Sequence, residues 1–333
     1  MTKIITSKDI KEAAECIKNG GIVAFPTETV YGLGGDAFNT SAIDKIYKAK
    51  GRPSDNPLIV HICCQDDLDN LVTEVSKNAK LLIDNFWPGP LTIILPKKES
   101  VPYRVTGGLD TVAVRLPEDP VAIELIKLSN TYIAAPSANL SGSPSPTTSR
   151  HVIADLNGRV DYILTGDDSK IGLESTVIDL TSEVPLILRP GAITLEMIKK
   201  YIPEAKLDIA VMQEAKKPRC PGMKYKHYSP KANVEVVCGT NKESIREYIS
   251  NQLKHNESCG VMTYKGGDYD DAICVLSSGN TMEQYASSLF YNLRVFDEYG
   301  VSKIYAEFIN EDGMGIAVKN RLFKAAGNNI TEV

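Results

Sequence analysis

The segment Phe25-Pro-Thr-Glu-Thr-Val-Tyr-Gly-Leu-Gly-Gly35 begins at the last residue of a short apolar run, residues 22–25. That run predicts a buried β-strand. From here to about residue 191, small hydroxyl residues, glycines and single basic residues recur where predicted strands end. Ligands of open α/β sheets bind at strand ends. The pattern therefore predicts an α/β sheet that holds a small polar substrate and a nucleotide and lets them react with each other.

Hydrophobic periodicity predicts a first α/β domain over residues 1–208. Further strands are predicted at 58–62, 91–95, 111–116, 132–135, 162–165 and 176–180, and helices separate some of them, which favours a mixed sheet. The helices are predicted at 7–19, 41–50, 77–86, 120–129 and 149–156, with Ser7 as the cap of the first.

The C-terminal part predicts a linker and a smaller α/β domain. Residues 209–232 show little periodicity and contain prolines at 218, 221 and 230, so we interpret them as an interdomain linker. Over residues 233–333, strands are predicted at 234–238, 260–264, 272–276 and 303–308, and helices at 242–253, 282–298 and 315–326. This order is typical of a small unit with a parallel sheet.

The composition favours a globular protein of the cytoplasm. The chain has 333 residues, of which 43% are hydrophobic, and it contains no apolar run long enough to predict a membrane span. Its first residues lack the apolar core of a signal peptide, so a cytoplasmic location is expected. Seven scattered cysteines without a Cys-x-x-Cys pair favour free thiols over disulfides or a structural zinc site.

The net charge of −5 lies entirely in the last hundred residues. Residues 234–333 hold 9 Lys and Arg against 14 Asp and Glu, whereas residues 1–233 hold 28 of each. Neither part has the basic character of a nucleic-acid footprint. A polyanionic ligand must therefore meet a local cluster of cations.

Several catalytic motifs are incomplete or absent. Gly32-Leu-Gly-Gly-Asp-Ala37 matches the Gly-x-Gly-x-x-Ala pattern, but six residues separate it from the preceding strand and the next helix begins near residue 41. We interpret it as a glycine-rich turn that lets the backbone approach another element or a ligand. Ser54-Asp-Asn56 lacks the companion motifs of penicillin-binding enzymes, and neither Gly-x-Ser-x-Gly nor Gly-Lys-Ser/Thr occurs.

Basic residues at strand edges are candidate anion ligands. Lys50 and Arg52 lie at the end of a predicted helix, where a solvated basic end that complements the helix dipole is the simpler interpretation. Because Asn56 and His61 follow at once, two cations, an amide and an imidazole converge near one strand edge, a set that suits phosphates and a carboxylate. Arg115 ends an apolar strand, and the residues alone leave open whether it binds a ligand or forms a structural salt bridge.

The candidate residues share a position beside predicted strands. They include three arginines, one lysine and several hydroxyls, and they lack a clear pair of nucleophile and base. The set comprises Thr27, Thr29, Lys50, Arg52, Asn56, His61, Arg115, Ser137, Asn139, Ser175 and Arg189.

The chain resembles the YrdC-like family in its long, two-domain form. The resemblance covers nearly the full length, and several distinctive motifs occur in the family's order. They are Phe25-Pro-Thr-Glu-Thr-Val-Tyr-Gly-Leu33, Lys50-Gly-Arg-Pro53, Asn56-Pro-Leu-Ile-Val-His61, Trp87-Pro-Gly-Pro-Leu-Thr92, Ala134-Ala-Pro-Ser-Ala-Asn139, Glu174-Ser-Thr-Val177, Leu188-Arg-Pro-Gly191 and, in the linker, Pro221-Gly-Met-Lys-Tyr-Lys-His-Tyr-Ser-Pro230.

The resemblance implies a fold and a reaction. The expected fold is a YrdC-like domain, a twisted mixed sheet around a concave cavity lined by cations, and a smaller C-terminal Rossmann-like α/β domain, with the linker crossing the cavity mouth. The expected reaction is a nucleotidyl transfer in which L-threonine, bicarbonate and ATP give threonylcarbamoyl-AMP, pyrophosphate and water. Other proteins then move the threonylcarbamoyl group onto an adenosine beside the tRNA anticodon. Mg²⁺ is expected on the ATP, held largely by phosphates and water rather than by a protein metal site.

The resemblance also implies roles for residues. Lys50 and Arg52 would be catalytic through their charge. L-threonine would be held by Thr29, His61, Arg115, Ser175 and the backbone of Ala135. The nucleotide would be held by Arg52, Asn56, Thr111, Ser137, Asn139, Ser145, Arg189 and the linker's Tyr225, with Tyr228 as the alternative linker tyrosine.

Two other functions stay open. An RNA-binding module of YrdC-like fold would use a concave basic surface, and a weak tRNA contact is a related expectation. The zero net charge of residues 1–233 and the lack of interleaved aromatic and basic residues outside the linker argue against it. A carbamoyl-transfer module, as in hydrogenase maturation proteins, would need acylphosphatase and zinc-finger segments that this sequence lacks.

Overall fold

The structure, a computed structural model, describes residues 1–208, 228–256, 258–309, 312–327 and 329–333. The chain divides into a larger unit of residues 1–141, 145–170 and 174–224 and a smaller unit of residues 142–144, 171–173 and 225–333. Most of the linker predicted at 209–232 lies outside the described residues. The predicted domain boundaries therefore stay predictions.

The larger unit contains an eleven-stranded mixed sheet. Its strands are β1 (Lys3–Ile5), β2 (Val23–Phe25), β3 (Gly32–Asp36), β4 (Ile59–His61), β5 (Leu91–Pro96), β6 (Thr111–Arg115), β7 (Ile133–Ala135), β8 (Tyr162–Leu164), β9 (Thr176–Asp179), β10 (Leu186–Arg189) and β11 (Lys206–Leu207). Their order is β1-β8-β2-β3-β7-β4-β6-β5-β9-β10-β11. Parallel pairs such as β4 with β6 and antiparallel pairs such as β4 with β7 confirm the mixed sheet.

The helices of the larger unit cover both faces of this sheet. They are α1 (Ile10–Lys18), α2 (Thr40–Lys50), α3 (Lys77–Phe86), α4 (Tyr103–Thr106), α5 (Pro120–Ser129), α6 (Ser149–Leu156) and α7 (Leu195–Lys199). Alternate residues of β2 enter two different cores: Ala24 packs with residues of α2 and α3, whereas Val23 and Phe25 pack with residues of α1 and α5. Side chains alternate across a strand, so this pattern shows a sheet buried between two helical layers.

Local capping fixes the helix that carries Lys50. The Asn39 side chain accepts a hydrogen bond from the Ala42 backbone N–H at the start of α2. Gly51 ends the helix in the left-handed conformation, with φ of 63°. The Arg52 N–H donates to the Tyr47 carbonyl at 3.0 Å, so this turn fixes the backbone directly after Lys50.

The glycine-rich segment is a strand, so its prediction as a turn is wrong. Gly32–Asp36 forms β3 and pairs antiparallel with β2. A Cβ atom on Gly34 would lie 2.3 Å from a methyl carbon of Ile133 and 2.7 Å from the Phe25 ring. The glycines therefore let neighbouring side chains pack flat against the strand.

The first helix also differs from its prediction. A short 3₁₀ turn, Ser7–Asp9, precedes α1, and the Thr6 side chain rather than that of Ser7 caps it.

The smaller unit is built on a parallel sheet, as predicted. Its strands are β12 (Asn233–Gly239), β13 (Cys259–Thr263), β14 (Cys274–Ser277), β15 (Lys303–Ile309) and β16 (Ile330–Glu332), in the order β14-β13-β15-β12-β16. Its helices are α8 (Lys242–Leu253), α9 (Met282–Tyr299) and α10 (Met314–Ala325). Every pair in this sheet is parallel. Among the described residues of the whole chain, the helices are too short or too polar to cross a membrane.

Candidate active site

Two of the predicted ligands lie side by side at the carboxyl ends of parallel strands. His61 ends β4, Arg115 ends β6, and the two residues are direct partners in the strand register. Both side chains are buried. The carboxyl ends of strands are the usual ligand-binding edge of an α/β sheet, so this pair marks the centre of the candidate site.

Arg115 is held on three sides. Its Nη2 lies 2.6 Å from Oε1 of Glu28, its Nη1 donates to the Thr29 hydroxyl at 2.9 Å, and its Nε donates to the Gly89 carbonyl at 3.2 Å. The Thr29 and Thr27 hydroxyl oxygens lie 2.8 Å apart. Of the two interpretations left open for Arg115, the salt bridge is present. Its binding of a ligand stays a prediction.

Glu28 is the residue that the sequence did not identify. It lies in the segment between β2 and β3, and its side chain is 6% exposed, against 4% for Arg115. Burial raises the pKa of its carboxyl, but the Arg115 charge and hydrogen bonding outweigh burial and hold that pKa below its usual value. The signal available was the rule that a buried Arg needs an anionic partner.

His61 is a neutral imidazole. Burial, together with the charge of Arg115, lowers its pKa to about 3. Its Nδ1 lies 3.1 Å from the Ile59 carbonyl, so Nδ1–H is the donor in the neutral ring and Nε2 is left as an acceptor. Phe25 meets the ring edge to face with centroids 6.2 Å apart. His61 can therefore accept a hydrogen bond from a hydroxyl or an amine.

Lys50 joins the end of α2 to the segment after β7. It is buried, and its ammonium group donates to the Ser137 carbonyl at 2.5 Å, the Asn139 carbonyl at 2.6 Å and the Asn139 side-chain oxygen at 3.3 Å. The Ser137 hydroxyl donates to that same Asn139 oxygen at 2.5 Å. The structure thus brings together three of the predicted residues, with the lysine fixing the shape of the Ser137–Asn139 segment.

A second buried group lies where β9 and β10 meet. Arg189 donates to the Ser175 carbonyl at 2.9 Å and to the Ser175 hydroxyl at 3.0 Å. The Ser175 hydroxyl also lies 2.7 Å from that of Thr92 on the neighbouring strand β5. Ser145 donates to Glu174 at 2.6 Å in the same region. Arg189 therefore orients Ser175, a contact that the sequence did not predict.

Asn56 carries a buried side chain whose amide has no hydrogen-bond partner in the described part of the chain. Its backbone is fixed, because the Tyr47 hydroxyl donates to the Asn56 carbonyl at 3.1 Å. Leaving a buried amide unpaired is unfavourable, so such a group marks a place for a polar ligand. Arg52 lies nearby and donates to the Pro57 carbonyl at 3.4 Å.

The remaining predicted residues lie at other places. Thr111 begins β6 and Arg115 ends it, so about 13 Å of strand separates them at about 3.3 Å per residue. Ala135 ends β7 and pairs with Ile59 of β4. Tyr225 lies outside the described residues. Tyr228, the alternative linker tyrosine, packs against Phe290 of the smaller unit with ring centroids 5.1 Å apart.

Three side chains of the described part of the chain lie close enough together to be considered as metal ligands. Among the described residues, the group of possible metal ligands is Cys63, Cys64 and Asp67. Asp67 already accepts hydrogen bonds from both cysteine N–H groups, and burial raises the pKa of the Cys63 thiol to about 12. Sulfur donors do not suit Mg²⁺, which prefers oxygen.

The fold and this cluster define an α/β protein with a cationic, hydroxyl-lined site at the strand ends of a mixed sheet. The Sua5/YciO/YrdC family model, described as telomere recombination, matches residues 15–191, and a model described as the threonylcarbamoyl-AMP synthase C-terminal domain matches residues 193–327. The chain belongs to the Sua5/YciO/YrdC family, in its two-domain form.

Two curated relatives and a solved structure resemble the chain over nearly its full length. A threonylcarbamoyl-AMP synthase of Pyrococcus abyssi is 48% identical over 97% of this chain and 96% of its own length. A threonylcarbamoyl-AMP synthase of Bacillus subtilis is 47% identical over 96% of this chain and 94% of its own length. The crystal structure of P. abyssi Sua5 complexed with L-threonine matches with a TM-score of 0.94 and 46% identity, covering 100% of this chain and 99% of that one. The resemblance to the YrdC-like family is therefore confirmed.

Proposed function

We propose that the protein is an L-threonylcarbamoyladenylate synthase. It condenses L-threonine, bicarbonate and ATP to threonylcarbamoyl-AMP, pyrophosphate and water. The observation that carries this proposal is the buried group of Arg115, Thr29 and His61 at paired strand ends. It lies in a chain that is 48% identical to a threonylcarbamoyl-AMP synthase over nearly its whole length.

L-threonine is the substrate that this group suits. Arg115 presents a guanidinium to a carboxylate, and arginine forks match carboxylates in geometry and charge. The neutral His61 ring accepts a hydrogen bond, as a threonine hydroxyl or amine requires. The crystal structure of P. abyssi Sua5 with L-threonine supports this choice, since the two folds agree with a TM-score of 0.94. Ser175 and the Ala135 backbone complete the proposed threonine site.

ATP is the proposed second substrate. The Ser137–Asn139 segment held by Lys50, the unpaired Asn56 amide and the Arg189 guanidinium supply the cations, hydroxyls and amides that a nucleotide needs. Arg52, Thr111 and Ser145 are the further proposed nucleotide ligands, together with Tyr225 of the linker.

The chemistry requires charge and position more than a protein nucleophile. The threonine amine attacks the carbon of bicarbonate, water leaves, and a carbamate oxygen then attacks the α-phosphorus of ATP while pyrophosphate departs. The carbamate and ATP are both anions, so Lys50 and Arg52 lower the barrier by offsetting their repulsion at the reacting atoms. Mg²⁺ is proposed to enter with ATP, bound by phosphate oxygens and water, and to neutralise charge on the pyrophosphate.

In this proposal the protein acts as a nucleotidyltransferase of the cytoplasm. Threonylcarbamoyl-AMP is a labile mixed anhydride, so a separate set of transfer proteins takes it over and delivers the threonylcarbamoyl group to the adenosine beside the tRNA anticodon. A weak contact with tRNA is a further proposal.

The test is pyrophosphate release by the purified protein with ATP, Mg²⁺ and bicarbonate, with and without L-threonine. Threonine-dependent release, together with a product of the mass of threonylcarbamoyl-AMP, is expected. Absence of any threonine dependence in a folded protein that binds ATP would refute the proposal. Salt-dependent tRNA binding without ATP consumption would instead favour the RNA-binding function.

A further inference from the structure

Glu28 is a buried carboxylate of the candidate site to which the proposed chemistry gives no role. Both of its carboxylate oxygens are buried, and Oε1 lies 2.6 Å from Nη2 of Arg115 in an ion pair. A ligand cannot reach oxygens that are covered by protein on all sides. Glu28 can therefore act on a ligand only through its contact with Arg115.

The contacts of Arg115 show what Glu28 contributes. Nε and Nη1 donate to neutral acceptors, the Gly89 carbonyl and the Thr29 hydroxyl. Glu28 is the charged partner of Arg115 among the described residues. The Glu28 contact is also the shortest of the three, and charge-assisted contacts are the stronger ones. Removing the negative charge would leave the buried guanidinium with neutral acceptors alone.

We propose that Glu28 is a positioning residue for L-threonine, because it holds the Arg115 guanidinium in the plane in which Nη1 faces both Thr29 and the substrate carboxylate. A guanidinium has five N–H groups in a fixed fork, and bidentate recognition depends on the orientation of that fork. The role assigned to Glu28 rests on the proposed function, since Arg115 is a threonine ligand only if the protein binds threonine.

The direct test replaces Glu28 by its neutral isostere. Glu28→Gln keeps the shape of the side chain and removes the charge that holds Arg115. We expect the KM for L-threonine to rise by about tenfold or more, as loss of a charge-assisted contact does, while the KM for ATP stays within about twofold because the Lys50 and Arg189 groups are untouched. Glu28→Asp retains the charge one methylene further from Arg115 and should recover part of the threonine affinity.

A matched control separates this effect from the loss of any glutamate ion pair. Glu12→Gln breaks an exposed pair with Lys3, in which the two side chains are 53% and 63% exposed, and should leave both KM values unchanged. Thermal unfolding of each variant checks the fold. If Glu28→Gln does not fold, the same two KM values are measured on Glu28→Asp, for which a threonine KM raised severalfold at constant ATP KM is expected.

The outcomes distinguish two failures. If the wild-type protein shows no threonine-dependent pyrophosphate release, the proposed function is wrong whatever the variant does. If the wild type is active and Glu28→Gln binds threonine as tightly as the wild type, the role of Glu28 is wrong. Equal increases of both KM values would also overturn it, because a purely structural residue would disturb both subsites alike.

Discussion

Lys50 is the residue whose contacts say most about how the candidate site is shaped. Its buried ammonium group donates to two backbone carbonyls and one side-chain oxygen of the Ser137–Asn139 segment. A lysine ammonium has three N–H donors, so these acceptors alone match its capacity. Lys50 therefore holds the Ser137–Asn139 segment in shape, and its effect on the nucleotide stays a prediction.

We expect Lys50→Ala to lower the turnover of threonine-dependent pyrophosphate release by about 100-fold, the size of effect seen when a charge-stabilising donor is removed from a reacting centre. The variant loses the positive charge and the bonds that fix Ser137 and Asn139. The matched control is Lys48→Ala, which removes an exposed lysine two residues earlier on α2 and should leave turnover unchanged. Near wild-type turnover for Lys50→Ala would contradict the catalytic role.

His61 predicts a dependence of stability on pH. Its pKa in the fold is about 3, whereas a free imidazole has a pKa of about 6.5. Between these values the unfolded chain binds a proton that the folded protein does not. The free energy of unfolding therefore falls as the pH falls through this window, by up to about 1.4 kcal/mol per pH unit.

The measurement compares urea unfolding at pH 7 and pH 5, followed by the fluorescence of Trp87, the single tryptophan of the chain, which lies in the larger unit. We expect the wild type to lose about 2 kcal/mol more than His61→Gln over this interval. Glu28 does not affect this comparison. Because its pKa is lowered in the fold, its contribution to the free energy of unfolding is lost only at pH values below this interval. His255→Gln, which changes an exposed histidine of the smaller unit, should behave like the wild type. Equal losses in His61→Gln and the wild type would show that His61 is not buried as a neutral ring.

At the scale of elements, β3 depends on the absence of a side chain at Gly34. We expect Gly34→Ala to lower the free energy of unfolding of the larger unit by about 1–3 kcal/mol, because the new methyl group overlaps Ile133 and Phe25. Gly35→Ala is the matched control on the same strand, since its nearest contacts would be at 3.2–3.4 Å. Equal stabilities for the two variants, measured by urea unfolding with Trp87 fluorescence, would argue against this account of the glycines.

The elements that the sequence predicted well carry their own local signals. Helices α3 and α5 match their predicted ranges, because Ser76 and Asp119 cap them and their apolar faces have a helical period. Strand β3 was missed because glycine is rare in strands, and its pairing depends on a tertiary contact with Phe25. The two- and three-residue strands β1, β11 and β16 lie at sheet edges and give too short a pattern to recognise.

The difference between local sequence signals and tertiary contacts also decides what could be predicted of the candidate site. The strand-end positions of His61 and Arg115 could be predicted from the apolar runs that precede them. The partner of Arg115 could not, because Glu28 lies 87 positions earlier in the chain and only the folded sheet brings the two together. The anchoring of the Ser137–Asn139 segment by Lys50 is equally a consequence of topology, since 87 residues separate Lys50 from Ser137.

At the scale of the whole molecule, each unit has a core of its own. Among the described residues, the larger unit buries clusters on both faces of its sheet, and the smaller unit buries a cluster between α8 and its parallel sheet. A sheet covered on both faces by helices is the arrangement that folds independently. The described candidate residues of the larger unit all precede residue 190, whereas the smaller unit lies mainly after residue 224 and also includes residues 142–144 and 171–173.

We therefore expect a chain that ends after residue 208 to fold and yet lose activity. Cooperative unfolding followed by Trp87 fluorescence should persist, because the described hydrophobic clusters of the larger unit are retained. Threonine-dependent pyrophosphate release should fall, because the shortened chain lacks the linker at 209–232 and with it Tyr225, which is proposed to cover the nucleotide and exclude water from a labile product.

A second chain that ends after residue 232 tests which missing part matters. It retains the linker and lacks the smaller unit, so we expect it to recover a substantial share of the wild-type activity if the linker is the functional element. Full activity of the chain ending at 208 would remove any role for the linker. Activity lost equally in both shortened chains would assign the effect to the smaller unit instead.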